Sequence, residues 1–466
     1  MNRGREFISN TIILFFGKFA TQLVSFLCLP IYTRYLLTTD YGLIDLYQTF
    51  ITLLIPFVNI RMDVAGLKFL SENRNKEEEK GKIISIIVSL FLISSFVSLI
   101  IGVVLSFFIH IHYFWYVLLN LIISSASIVF LQMLRGLKMN KEYSIACIIT
   151  SITLLIFTML LIIVMKMNAK SILIASSVAN AVCIAYCLIK IHPKFDFKII
   201  KESKTKQIIK YSTPMILDAS SWWIVNVSDR TIISFFLGVA YNGIYSISCK
   251  FSNILNSIFL IFNMSWQEAI ITHKNDPDAS MYISKLGNEI IKLFLSISLI
   301  IVAAIPLVFD IAIGKDYISS YNYIPILLYS NIHSIISTLI GSILVVYGET
   351  KTIAKTTLIS AVINIVINVL LIKYIGLFAA AFSTLIAYVI IGFLRYKKCK
   401  KSIDFNLNIK LILIYSLLFL ISSLIYLYNY IITNVINILL IILCLIILNK
   451  NSMNYYINLI KKVKKS

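Results

Sequence analysis

Lys18 and Lys250 each stand about nine or ten residues inside an apolar run of the chain. A charge that deep in hydrocarbon is expensive and faces a partner or a water-filled cavity, not lipid. Arg230 and Lys292 lie nearer the ends of their runs, where a long side chain can snorkel to the interface. Asp218 sits about seven residues into its run and is placed to partner Lys18. Asp229 adjoins Arg230, and neighbours in sequence do not face each other on a helix. Around these charges polar residues recur at spacings of 3, 4 and 7: Lys18, Gln22 and Ser25; Asp45, Thr49, Thr52 and Asn59; Asp218, Trp222, Asn226 and Asp229; Ser246, Lys250, Asn253 and Ser257. Such spacing puts each set on one helical face. The chemistry on offer is binding, with fixed cations, carboxylates, amides and indoles lining an interior. For any single Ser or Thr, helix-to-helix hydrogen bonding is the simpler role.

Catalytic signatures are missing. There is no GxxxxGK[ST] phosphate loop and no HExxH. The seven cysteines show no C-x-x-C and no His/Cys cluster, so they read as small buried thiols. No cofactor and no metal site is expected.

The elements that must position these faces are membrane spans. The chain has 466 residues, is 59% apolar and only 14% charged, and its mean hydropathy is +0.90. Its apolar blocks run to about 20 residues, enough to cross ~30 Å of hydrocarbon as helix. Strand-like alternation is absent, which argues against a β-barrel. About fourteen transmembrane helices are expected, near 8–32, 41–60, 83–109, 113–134, 143–165, 171–190, 211–235, 241–264, 289–313, 322–346, 355–373, 376–394, 410–428 and 431–449. The first run is too long for a cleaved signal core and reads as a retained span. The net charge of +21 would suggest nucleic acid on a soluble protein. Here it follows loop parity: with the N-terminus in the cytoplasm, 33 Lys/Arg fall in cytoplasmic segments, 5 in outer loops and 4 within spans. That is the positive-inside pattern, so no nucleic-acid partner is expected and both termini are placed in the cytoplasm. The longest hydrophilic stretches, 61–82 and 190–210, are too short for a catalytic domain with its own core.

A repeat crosses the basic segment. Leu36–Ile44 matches Leu237–Tyr245 at an offset of 201, pairing Gly42 with Gly243 and Asp45 with Ser246. Six spans per half would give both halves the same orientation. The expected fold class is therefore all-α integral membrane, with two six-helix lobes related by pseudo-twofold symmetry and a C-terminal helix pair. The expected divisions are an N-terminal lobe at 1–190, a basic cytoplasmic linker at 191–210, a C-terminal lobe at 211–396, the extra pair at 397–450 and a basic tail at 451–466, read as a short helix on the anionic leaflet.

Asn10-Thr11 through Gly17-Lys18, then Leu29-Pro30-Ile31-Tyr32-Thr33-Arg34-Tyr35-Leu36 and Asp40-Tyr41-Gly42-Leu43-Ile44-Asp45, resemble the polysaccharide flippases (Wzx type) of the multidrug/oligosaccharidyl-lipid/polysaccharide exporter superfamily. Asp229-Arg230-Thr231-Ile232-Ile233, Leu237-Gly238 and Asn242-Gly243-Ile244-Tyr245-Ser246 look like that family's seventh and eighth spans. The resemblance implies a bacterial inner-membrane transporter, not an enzyme, that flips undecaprenyl-diphosphate-linked oligosaccharide for an O-antigen, a capsule or another surface polymer. It implies alternating access, with the polyprenyl tail left in membrane lipid beside the last two spans, and a polysaccharide polymerase and glycosyltransferases as partners. On that reading Lys18 and Lys250 supply cations to the diphosphate, Trp222, Trp223, Asn226 and Asn253 are the candidates to meet sugar, Gln22, Asp45 and Arg230 join them in the substrate-binding site, and Asp218 and Asp229 couple an ion. A cation-coupled drug exporter of the same superfamily is the rival; twelve spans and an acidic cavity would favour it. A membrane-embedded polymerase would need a long outer loop, and a passive scaffold leaves the deep lysines without purpose.

Overall fold

The computed structural model describes residues 17, 20–74, 76–108, 111–193 and 203–463, and gives the backbone alone at 217–218, 221–222, 224–227, 261, 264, 350, 402 and 450–463. The described regular structure is helical throughout: α1 (Leu29–Tyr35), α2 (Thr38–Val58), α3 (Met62–Glu72), α4 (Glu77–Phe108), α5 (Phe114–Gly136), α6 (Asn140–Met159), α7 (Lys170–Ile191), α8 (Ser203–Phe236), α9 (Val239–His273), α10 (Ala279–Ala312), α11 (Ile324–Val346), α12 (Thr350–Ile375), α13 (Leu377–Ile403), α14 (Ile409–Tyr428) and α15 (Ile431–Val463). A π turn, Leu160–Val164, extends α6, and a 3-10 segment, Lys315–Tyr323, leads into α11. With no water in a bilayer core, helices satisfy their backbone internally.

Twelve of the described stretches are long and apolar enough to span a membrane. The sequence suggests fourteen. The first, 8–32, falls in part outside the described residues, at 8–16, 18 and 19. The seventh, 211–235, is helical within α8, but its Ser, Asp, Asn and Arg content keeps it out of the twelve. At 34 residues α8 is about 51 Å long at ~1.5 Å per residue, so polarity, not length, sets it apart. The tail expected as a separate short helix continues α15 without a break to Val463.

Chain contacts divide the protein into two compact units. The first comprises Met1–Ile247, Lys315–Tyr317 and Val369–Gly376. Its main core joins α3 to α7 and the start of α8 through Met62, Ile86, Met133, Leu134, Ala146 and Ile208. Cys147, Cys183 and Cys187 are packed into the same core as free thiols, as their apolar surroundings suggest. The turn from α2 into α3 places Ile60 and Arg61 at positive φ, 46° and 55°. It leaves Asp63 buried, 3.4 Å from the Arg61 guanidinium.

The second unit comprises Ser248–Gly314, Ile318–Asn368 and Leu377–Ser466. The stretch Lys315–Val346, which contains α11, is the most enclosed of its candidate spans. Arg395, which loop parity counts among the cytoplasmic basics, instead lies buried inside α13. It donates to the Ser337 carbonyl (3.0 Å), Thr356 Oγ1 (3.3 Å) and Thr357 Oγ1 (2.9 Å), tying α11, α12 and α13 together. The last helix pair is anchored by Tyr321 and Tyr426. Their rings stack at 4.0 Å and each hydroxyl donates to the other's carbonyl at 2.9 Å.

Candidate functional site

α2 starts cleanly because Leu37 is extended and Asp40 lies in the first turn, where a carboxylate favours the helix N-terminus. One turn on, Gly42 meets Gly243 of α9. A Cβ on Gly42 would lie 2.0 Å from the Val239 carbonyl oxygen and 2.8 Å from the Gly243 nitrogen. A Cβ on Gly243 would lie 2.4 Å from the Thr38 oxygen and 3.1 Å from the Gly42 nitrogen. The offset of 201 carries Thr38 onto Val239 and Gly42 onto Gly243. The contact is therefore reciprocal, as between copies related by a twofold. Only glycines let the two backbones come this close.

The polar faces flanking that contact carry the site. Asn242 donates to the Gly42 carbonyl at 2.9 Å and reaches Asp45 Oδ2 at 3.4 Å. Tyr41 and Ser246, the repeat mates of Asn242 and Asp45, also stand side by side. Arg230 of α8 donates to Asp45 Oδ1 at 2.9 Å and to Thr49 Oγ1 at 3.4 Å. Trp223, two turns earlier on α8, donates its indole N–H to the Thr49 carbonyl at 2.8 Å. Asp45 is only 4% exposed. A carboxylate so enclosed persists because a guanidinium and an amide hold its two oxygens. On the neighbouring face of α8, Asp229 accepts from the Tyr245 hydroxyl at 3.3 Å. Tyr317 fixes the turn before α2, donating to the Leu36 and Leu37 carbonyls at 3.2 and 2.9 Å.

Of the residues singled out from sequence, the fold brings Asp45 and Arg230 into one ion pair and sets Asp229 on the adjacent face. Trp222, Asn226 and Asp218 lie on α8, but their side chains fall outside the described residues, as does Lys18 altogether. The suggested Lys18–Asp218 pair falls there with them. Gln22 is exposed on the helical stretch 20–27. Lys250 is half-buried and Asn253 exposed, both on the part of α9 that belongs to the second unit. Sequence reasoning missed Asn242 as a ligand of Asp45. Its signal was in the repeat: Asn242 is the residue before the second glycine and aligns with Tyr41. Sequence reasoning also treated Arg230 as free to snorkel, because its partner lies 185 residues away. Among the described residues no group of three His, Cys, Asp or Glu could hold a metal ion.

The arrangement offers recognition and switching. A buried ion pair can be opened by a competing charge, and a close helix contact can serve as a seam. Neither presents a nucleophile next to a base. Solved structures with the same fold are membrane transporters. A lipid II flippase MurJ in an inward closed conformation is similar over 96% of this chain and 100% of its own, at 20% identity and a TM-score of 0.63. An inward-facing multidrug resistance MATE family transporter of the MOP superfamily is similar over 82% of this chain and 94% of its own, at 12% identity and a TM-score of 0.66. The Vibrio cholerae MATE transporter VcmN in the bent form covers 86% of this chain and 97% of its own, at 14% identity and a TM-score of 0.57. At such identities the likeness is one of fold. No curated protein matches the sequence. A family model described as polysaccharide biosynthesis protein matches residues 7–271, a stretch holding Asp45, Arg230, Asn242 and both glycines of the repeat. With more than half its length matched, and a fold shared with the MOP-superfamily transporters, this chain belongs to the polysaccharide biosynthesis protein family.

Proposed function

We propose that the protein flips undecaprenyl-diphosphate-linked oligosaccharide across the bacterial cytoplasmic membrane by alternating access, with both termini in the cytoplasm. The observation that carries this reading is the family match over residues 7–271. The flippase-like fold over nearly the full length agrees with it. In this reading Lys18, Lys250 and Arg230 supply cations to the diphosphate. Gln22, Trp222, Asn226 and Asn253 offer amides and an indole to sugar hydroxyls and ring faces. Asp45 holds Arg230 at rest, and an incoming diphosphate competes for it. That gives the loaded and empty states different electrostatics, which alternating access requires. Asp218 and Asp229 are the carboxylates available to couple an ion. Glycosyltransferases would supply the substrate and a polymerase would consume it, and the product would be an O-antigen, a capsule or another surface polymer.

Deleting the gene tests the reading. The expected result is loss of surface polysaccharide with lipid-linked units trapped on the inner leaflet. The MATE-like fold favours one rival, a cation-coupled multidrug exporter. Unchanged surface glycan together with raised sensitivity to cationic drugs would put that exporter in place of the flippase.

A further inference from the structure

The second unit holds a pocket of about 170 Å³ whose lining includes none of the residues assigned above to the diphosphate, the sugar or an ion. It is lined by Lys292 of α10, by Asn408, Lys410, Ile414 and Tyr415 around the start of α14, and by Leu448 of α15. A water occupies ~30 Å³ of liquid, so the space suits a group of several heavy atoms. Its floor is fixed. Tyr415 is 1% exposed, and its hydroxyl oxygen lies 3.3 Å from Asn449 Nδ2 and 3.4 Å from Ser296 Oγ. The rim is fixed as well. The Asn408 side chain caps α14 by accepting from the Leu411 N–H at 3.0 Å, and the Asn408 backbone N–H donates to Asn288 Oδ1 at 2.9 Å.

The charge of this pocket is positive on balance. Lys292 is buried and Lys410 exposed, while Glu289, one turn before Lys292, is the acidic group near Tyr415. The N-terminal end of the 20-residue α14 adds a positive dipole end beside them. The basic run Lys397, Lys398, Lys400 and Lys401 precedes the pocket in the chain, and Asn408 and Lys410 stand at the start of the candidate span Ile409–Tyr428, the end of a span being where headgroups lie. From it Leu413, Leu417, Leu420 and Leu424 run along α14, each more than half exposed. The eleven helical rises from Leu413 to Leu424 span about 16 Å, close to one leaflet of a ~30 Å hydrocarbon core. A positive pocket with an apolar track one leaflet long matches an anionic lipid whose chains are one leaflet long.

We propose that this pocket binds the phosphate of an anionic membrane lipid, with Lys292 and Lys410 as its cations and the acyl chains lying along α14. The lipid would brace α10, α14 and α15 against one another whatever the protein transports. The test uses the purified full chain in detergent, with native mass spectrometry to count retained lipid and thermal melting to read stability. Phosphatidylglycerol should be retained over phosphatidylcholine and should raise the melting temperature. Lys410→Gln alters an exposed side chain and should weaken phosphatidylglycerol retention about fivefold, the effect expected of one lysine at an anionic surface. Lys292→Gln with Lys410→Gln should abolish the preference. Lys400→Gln with Lys401→Gln, exposed at the end of α13 and outside the pocket, should leave it intact. Equal losses in both double variants, or equal retention of the two lipids, would overturn the proposal. So would stabilisation by inorganic phosphate alone matching that by phosphatidylglycerol, since it would mean an anion site without a lipid.

Discussion

Asp45 and Arg230 illustrate how a buried charge is tolerated in this protein. Each is held by the other, but only Asp45 is enclosed, the Arg230 side chain keeping 20% of its surface exposed. Arg230→Ala strands the carboxylate and should cost roughly 3–5 kcal/mol, the usual effect of breaking a buried pair, and Asp45→Ala should cost less because the guanidinium it leaves still reaches water. The double replacement Asp45→Leu with Arg230→Met should recover much of that, read as melting temperature in detergent. Full recovery of stability with transport still lost would assign the pair to the transport cycle and not to folding. Asp63, in the segment between spans, is a second enclosed carboxylate with a different balance. Burial pushes its pKa up, and the nearby Arg61 only partly opposes this. An acid whose folded pKa is raised is favoured in its protonated form. Its contribution to stability is full at low pH and is lost as pH rises through the folded pKa. Asp63→Asn should thus melt higher than the parent at neutral and alkaline pH, with the gap closing on acidification. A gap that widens on acidification would contradict the burial argument.

At the scale of elements, two features decide how helices meet. The Gly42–Gly243 seam leaves no space for a methyl group on either side, and the obstructing atoms are backbone, which cannot rotate away. Gly42→Ala and Gly243→Ala should each destabilise by about 1–3 kcal/mol, as overpacking does. Because both methyls push apart the same two helices, the double variant should cost clearly less than the two single costs added together. Simple additivity in a melting experiment would mean that the two glycines act separately. Arg395 does the opposite job, gathering three helices with one side chain. Arg395→Lys keeps the charge but has no planar fork to reach Ser337, Thr356 and Thr357 together. It should be nearly as unstable as Arg395→Ala, measured by the fraction of protein that stays monodisperse after mild heating.

At the scale of the whole chain, orientation and transport make separate predictions. Cysteines placed in the 190–210 segment should be unreachable by an impermeant reagent added to intact cells, and labelling of residue 204 from outside would reverse the proposed orientation. In proteoliposomes Lys18→Ala and Lys250→Ala should each abolish flux of lipid-linked oligosaccharide while the protein still inserts. Lys→Arg should retain part of it, since a phosphate mainly needs the positive charge. Wild-type flux in both alanine variants would remove the lysines from the binding site.

The helical, many-spanned character of this protein was legible in the sequence because it follows from composition: apolar blocks of bilayer length leave helices as the solution. The Gly42–Gly243 repeat was legible too, since a close backbone contact admits so few residue types that its trace survives as a motif. Asp45 could be placed on a polar helical face and Arg230 near the end of its apolar run, yet their pairing could not be read. Their partnership is set by how α2 and α8 rotate about their axes, and no local periodicity fixes the rotation of one helix against another. Arg395 shows the same limit from the other side. A count of basic residues near a span end cannot tell a lysine in water from an arginine turned inward onto three acceptors. That difference arises only when Ser337, Thr356 and Thr357 are brought to one place, because a buried cation is stable only where its hydrogen bonds are met.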